Sequence, residues 1–249
     1  MNRLMRAEWH RIMHSSKLKK WLAALCVICT VLPILVDVEV LKGNLTENLM
    51  AAQLAMSVFI PGFLSVFAAI TVGIGYMNKT VYYEVMAGNK IYQIAFSKVL
   101  VDAVIIAGSV FASMGIYWII IGYCNGVGEI GQLPLRLILL FLLFLHVCTS
   151  GVLIMTSFRQ ILGAVFVYVR FAVAETSIMF VVQLFEEQLS ETMMSKIADW
   201  FTMLKLTKLL SAGYEVTGHL IFAVIAGMLI ENGIWFGISY IGMKKRIYK

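Results

Sequence analysis

Residues 135–157 read LRLILLFLLFLHVCTSGVLIMTS. The stretch is apolar almost throughout, broken by Arg136 near its start and His146 near its middle. A helix needs about 20 such residues to cross the roughly 30 Å of bilayer hydrocarbon. Backbone groups in lipid must be satisfied internally, so only helices and closed barrels can span a membrane. Barrel strands are shorter and alternate apolar with polar residues, and this stretch does neither. It predicts a transmembrane helix.

Five further runs of the same kind lie around it, at 21–36, 54–76, 99–123, 161–184 and 220–242. The expectation is an all-α integral membrane protein with a six-helix transmembrane domain over 21–249. Composition agrees. Of 249 residues, 61% are hydrophobic and 14% charged, with a mean hydropathy of +0.88. Soluble domains are about half apolar and roughly a quarter charged, so a water-soluble core is excluded. The first 20 residues do not read as a cleavable signal, because the apolar run that follows meets Asp37 and Glu39 instead of a small-residue cleavage site.

The net charge of +6 does not point to nucleic acid, because the basic residues flank apolar runs. Fourteen of them fall on one side of the predicted spans: Arg3, Arg6, Arg11, Lys17, Lys19 and Lys20, then Lys79, Lys90 and Lys98, then Arg159, then Lys244, Lys245, Arg246 and Lys249. Five fall on the other: Lys42, Arg136, Lys196, Lys205 and Lys208. Lys and Arg are retained in cytoplasmic loops, which predicts a multi-pass chain in the cell membrane with both termini in the cytoplasm.

Residues 1–20 read as a basic amphipathic helix lying in the membrane interface. Leu4, Met5, Trp9, Ile12 and Met13 fall near one face, with Arg3, Arg6, His10, Arg11 and His14 around the others. Trp9, Arg6 and Arg11 are its expected interfacial residues. Between spans five and six, 185–219 mixes the acids Glu186, Glu187, Glu191 and Asp199 with apolar residues such as Ile197, Trp200 and Phe201. Ser195–Leu210 reads there as a short re-entrant or surface-lying helix.

No enzyme signature is present. A P-loop needs G-x-x-x-x-G-K-[ST], and the loop glycine Gly88 is followed by Asn89 before Lys90, with Tyr83 in place of the first glycine. No H-E-x-x-H occurs, the histidines are scattered, and no metal site is expected. Glu186-Glu187 is similar to the paired acids of intramembrane prenyl endopeptidases but lacks their following Arg. Cys26 and Cys29 form a C-x-x-C inside an apolar run, where they read as small helix residues. Gly233 and Gly237, and Ser109 and Ser113, have the small-x-x-x-small spacing of close helix packing.

Arg170, Glu175 and Glu231 are ionisable residues inside apolar runs, and His146 lies in the fourth. At 1.5 Å per residue, Arg170 and Glu231 reach a similar depth, about 15 Å from the cytoplasmic side. A pair between helices five and six is expected, with His146 near it. Glu175, five residues from Arg170, is expected on a different helix face. Such groups are costly in lipid and either brace the fold or line a path.

The loop 77–98, MNKTVYYEVMAGNKIYQIAFSK, is longer than a simple connection and mixes aromatic with charged residues. Tyr82, Tyr83, Met86, Ile91 and Ile94 could share one adhesive face, with Gly88 dividing two short helices. Its Glu84, Gly88, Lys90 and Ser97-Lys98, within the layout of interfacial helix, six spans and outer segment, resemble the permease subunit of an ABC exporter of the ABC-2 type. The resemblance covers the whole chain in layout and a short loose motif in residues, and Asn89-Lys90 stands where many relatives place Ser or Thr and then Arg.

That resemblance implies a docking loop, comprising Tyr82, Tyr83, Glu84, Met86, Gly88, Asn89 and Lys90, for a separate ABC ATPase subunit. ATP and Mg would be bound there, with no cofactor on this chain. It also implies a bacterial membrane, and a second copy or a sister permease beside the first. Small permeases of this size resemble the lantibiotic-immunity and bacitracin-type permeases and the phenol-soluble modulin exporters, which implies amphipathic peptide cargo. A secondary carrier, or a membrane scaffold or enzyme without a transport role, is the alternative.

Overall fold

The computed structural model describes residues 2–36, 42–52, 59–77, 80–158, 160–175, 177–178, 181, 200–211 and 214–247. Among them every regular element is helical. In chain order these are α1 (Asn2–His14), α2 (Ser16–Val36), α3 (Leu45–Ala51), α4 (Ile60–Met77), α5 (Thr80–Met86) and α6 (Ile91–Lys98). A π-wound turn, Val99–Ala103, joins α6 to α7 (Val104–Asn125). Then come α8 (Leu133–Ser157), α9 (Gln160–Tyr168), a second π-wound stretch Val169–Ala174, α10 (Thr202–Leu210) and α11 (Gly218–Ile247).

Three helical stretches among the described residues are long and apolar enough to cross a membrane: Ile91–Asn125, Leu133–Ser157 and Gly218–Lys245. They contain the predicted runs 99–123, 135–157 and 220–242. Ile60–Gly75 is apolar but shorter. The start of the predicted 54–76 run lies outside the described residues, as do Glu186, Glu187, Glu191, Ile197 and Asp199. α2 begins at Ser16, ahead of the predicted 21, because the basic Lys17, Lys19 and Lys20 extend the helix beyond its apolar part.

α8 is the centre of the bundle, packed on α4 and α11 and buried almost continuously from His146 to Thr156. In lipid there is no hydrophobic drive between helices, so close packing of small residues holds them together. Gly151 does this here. A Cβ at that position would collide with the Ser65 backbone of α4. By contrast, Gly233 and Gly237 of the G-x-x-x-G in α11 meet no described atom within 4 Å of a built Cβ. Phe222, Leu229, Ile230 and Ile234 of α11 are also exposed, as suits a helix facing lipid.

The two ends of the bundle differ. At one end α1, α5, α6 and the last turns of α11 form a layer around Leu4, Val81, Ile91, Ile94, Ala95 and Met243. At the other, α3 begins with an Asn44–Glu47 capping box and bonds through the Leu45 and Thr46 amides to the loop after α7.

Two sequence expectations are corrected here. Ile91 and Ile94 are not part of an outward face of the 77–98 loop; they are core. The helical turn that carries them into the bundle leaves Tyr92 and Phe96 outward instead. In α1 the buried stripe is Leu4, Glu8 and Ile12, one residue per turn, and Trp9 is 53% exposed on the other side. The apolar face predicted for this helix mixes the two sides, because a charged residue, Glu8, takes the centre of the docked stripe.

Candidate functional site

Two buried charge clusters and one exposed hairpin are the chemically distinctive features of the bundle.

The first cluster fastens α1. Lys98, at the end of α6 and fully buried, forms an ion pair with Glu8. Glu8 Oε2 also accepts from Arg11 Nε at 2.6 Å. Arg11 donates through Nη2 to Asp102 Oδ2 at 2.9 Å and through Nη1 to the Thr71 carbonyl of α4 at 2.9 Å. Glu84 of α5 stands 3.7 Å from Lys98 Nζ. Three carboxyl groups therefore share two cations. Glu84 Oε2 and Asp102 Oδ1 are buried without a hydrogen-bond partner among the described residues.

The protonation equilibria follow from this crowding. Burial would raise Glu8, but Lys98 and Arg11 outweigh it and hold its carboxyl below the ordinary value. Burial raises Glu84, with Glu8 adding to the effect and Lys98 opposing it. Burial alone would lower Arg11, whereas Asp102 and Glu8 hold it above its ordinary value. Arg11 thus turns inward, contrary to its expected place at a membrane interface. Arg6 and Trp9 remain exposed.

The α5–α6 hairpin stands on this base. Gly88 turns the chain between the two helices with φ +85°, a left-handed conformation that glycine adopts at little cost. Asn89 Nδ2 closes the turn on the Glu84 carbonyl at 2.9 Å. Tyr82, Tyr83 and Met86 are exposed by 53%, 63% and 71%. Lys90 is exposed too, and lines a cleft of 470 Å³ between the hairpin and α11. So Tyr82, Tyr83 and Met86 point outward, whereas Glu84 points into the ionic base.

The second cluster lies midway along the long helices. Arg170 Nη2 is 3.2 Å from Glu231 Oε1, and His146 Nε2 is 3.3 Å from Glu231 Oε2. Arg170 Nη1 is also 2.6 Å from Glu175 Oε1. The structure thus brings together Arg170, Glu175, Glu231 and His146. Glu175 corrects the expectation of a separate face. Five residues span well over one α-turn, but Arg170 lies within the π-wound stretch Val169–Ala174 and Glu175 directly follows it, and hydrogen bonds there run from i to i+5. His146 Nδ1 is buried without a partner among the described residues. Ser150 and Asn232 extend the layer with a 3.0 Å bond.

Glu175 has a second task. Its Oε2 accepts from the Met203 amide at 2.8 Å, in the first turn of α10. Arg136, at the start of α8, grips the other end. Its Nη1 donates to the carbonyls of Leu209 and Ser211, both at 2.7 Å, its Nη2 to that of Tyr214, and its Nε to Gly131 at 2.8 Å. An acid at the first turn and an arginine at the last carbonyls match the helix dipole. α10 buries Met203, Leu206, Leu209 and Leu210 in the bundle.

Glu8, Asp102 and Arg136 are not singled out by sequence spacing. Each had a signal: Glu8 is the one acid in a basic segment, Asp102 sits inside the apolar run 99–123, and Arg136 interrupts the run 135–157. No protein-family model matches the chain, and no curated protein matches it.

Proposed function

We propose that the chain is the transmembrane subunit of an ATP-driven exporter of the ABC-2 type, with six spans, α10 re-entrant and both termini cytoplasmic. The observation that carries this reading is the α5–α6 hairpin. Anchored from within by Lys98, Glu84 and Glu8, it holds the apolar and aromatic Tyr82, Tyr83 and Met86 outward. A rigid hairpin with a protruding adhesive tip suits the transfer of force from a separate ATPase subunit. The anchor also ties that hairpin to α1 and, through Thr71, to α4. A push on the tip would therefore reach the bundle. Two copies, or one copy and a sister permease, would join two ATPase subunits that bind ATP and Mg. The cargo would be an amphipathic peptide of the lantibiotic or phenol-soluble modulin kind, moved out of the cell or membrane.

The test is purification of the tagged full-length chain from its own membranes in mild detergent. An ABC ATPase should co-purify, hydrolyse ATP faster when amphipathic peptides are added, and be lost from the Tyr83→Ala/Met86→Ala variant. Purification without any ATPase overturns the reading. The His146–Glu231–Arg170–Glu175 layer favours a second reading, a secondary carrier. That reading requires uptake or efflux in vesicles driven by an ion gradient with no ATPase present.

A further inference from the structure

The cleft between the hairpin and α11 shares Asn89 and Lys90 with the expected docking loop, but neither reading assigns it a ligand. It is lined by Val85, Asn89, Lys90 and Tyr92 on one side and by Tyr240 and Lys244 on the other. Its 470 Å³ falls within the range of small-ligand clefts, about 300–1,000 Å³. Two lysines from distant parts of the chain converge on it, and neither forms an ion pair with an acid among the described residues. Two tyrosines supply hydroxyl groups that can donate to an anion.

The surroundings narrow the ligand. The same end of the bundle exposes Arg3, Arg6, Lys17, Lys19, Lys20 and Lys245, together with Trp9, Tyr82 and Tyr83. Basic residues mixed with Trp and Tyr at the ends of apolar helices mark the headgroup level of a membrane. The anionic leaflet there attracts them, and basic pockets between helices at that level take lipid headgroups. Val85 and the apolar rims of the two tyrosines give the cleft an apolar wall on which acyl chains can start.

We propose that this cleft binds the phosphate headgroup of an anionic phospholipid, held between Lys90 of the hairpin and Lys244 of α11. The bound lipid bridges the hairpin and the last turns of α11, so its occupancy steadies the hairpin against the bundle. The inference stands apart from the transport reading and holds for a carrier equally well.

Native mass spectrometry of the delipidated full-length chain, titrated with palmitoyl-oleoyl phosphatidylglycerol or phosphatidylcholine, tests it. Phosphatidylglycerol should bind in preference, with one copy retained most strongly. Lys90→Gln with Lys244→Gln should weaken that copy about thirtyfold, given about 1 kcal/mol per basic residue at an anionic surface. Lys90→Arg with Lys244→Arg should retain it, and Lys17→Gln with Lys19→Gln should leave it unchanged. All four positions are exposed, so the fold is not at stake. Equal losses in the two glutamine pairs would mean diffuse attraction and overturn the site. Displacement of the lipid by millimolar inorganic phosphate, which then binds alone, would overturn the lipid assignment. Equal binding of phosphatidylcholine would overturn the charge recognition.

Discussion

Glu8 and Lys98, 90 residues apart in the chain, form a buried ion pair. The pair fixes the N-terminal helix to the root of the hairpin. Taking both ions out of water is costly, and their attraction offsets that cost only while both are present. Lys98→Ala should therefore destabilise the protein by about 3–5 kcal/mol, read as a lower midpoint of thermal denaturation in detergent. Glu8→Leu combined with Lys98→Met should recover most of that loss, since the Arg11–Asp102 pair survives. A double variant as unstable as Lys98→Ala would refute the pairing.

Glu84 gives the hairpin a dependence on pH. Its folded pKa is raised above the ordinary 4.5, so the native hairpin binds the proton more tightly than the unfolded chain. The stabilisation it contributes is complete below 4.5 and is lost as pH rises through the elevated folded value. Amides of residues 80–90, corrected for intrinsic exchange, should open more readily above the elevated value than below 4.5. Glu84→Gln should abolish that difference. An unchanged pH profile in Glu84→Gln would exclude Glu84 as its source.

Gly88→Ala should cost about 1–2 kcal/mol, the ordinary penalty for a side chain in the left-handed region. Among the described residues, no atom beyond the chain neighbours lies within 4 Å of the added methyl group, so the loss is conformational. Gly88→Asn should cost less, because Asn tolerates that conformation better. Chemical denaturation of the three proteins would rank them, and an Asn variant weaker than Ala would contradict the backbone explanation.

Arg136→Lys should free the end of α10, although charge is conserved. The guanidinium satisfies four carbonyl oxygens through a planar fork, which one ammonium cannot reproduce. The cost should be about 1–3 kcal/mol, set by the carbonyl groups left buried without donors. Hydrogen exchange should rise in 202–211 and stay unchanged in α4. Exchange rising equally in both would show general destabilisation.

Arg170→Gln leaves two carboxylates, Glu175 and Glu231, of which only Glu231 keeps a partner in His146. A loss of about 3 kcal/mol is expected for such an orphaned charge. Adding Glu175→Gln should restore more than half of it, because Glu231 keeps His146. A simple exchange of Arg170 and Glu231 should fail to restore the fold, since it places an acid against Glu175. A swap variant as stable as the native protein would disprove the three-way contact.

The depth of Arg170 and Glu231 is legible in sequence, because a constant rise per residue converts position into height. His146 follows by the same reckoning. Glu175 is not legible, because its direction depends on how the helix is wound between it and Arg170. Helix winding responds to tertiary packing, which periodicity does not encode. The burial of Glu8 is hidden for a related reason. An acid in a basic amphipathic segment counts as polar until its partners, Lys98 and Arg11, are placed around it. Gly88 dividing the hairpin was readable from glycine alone, whereas the inward turn of Ile91 and Ile94 needed the α11 surface they meet.

The wide turn at 169–174 makes chain length part of the ionic layer. Deleting one residue there would leave the stretch just as apolar and just as helical. It would rewind the segment as an α-helix and put Glu175 four places after Arg170, only about 40° around the axis, so the contact would survive. Winding the present five-residue step as an α-helix would instead set the two about 140° apart, and the first turn of α10 would lose its acceptor. For this part of the protein, winding and residue count have to match, whichever apolar residues fill the turn.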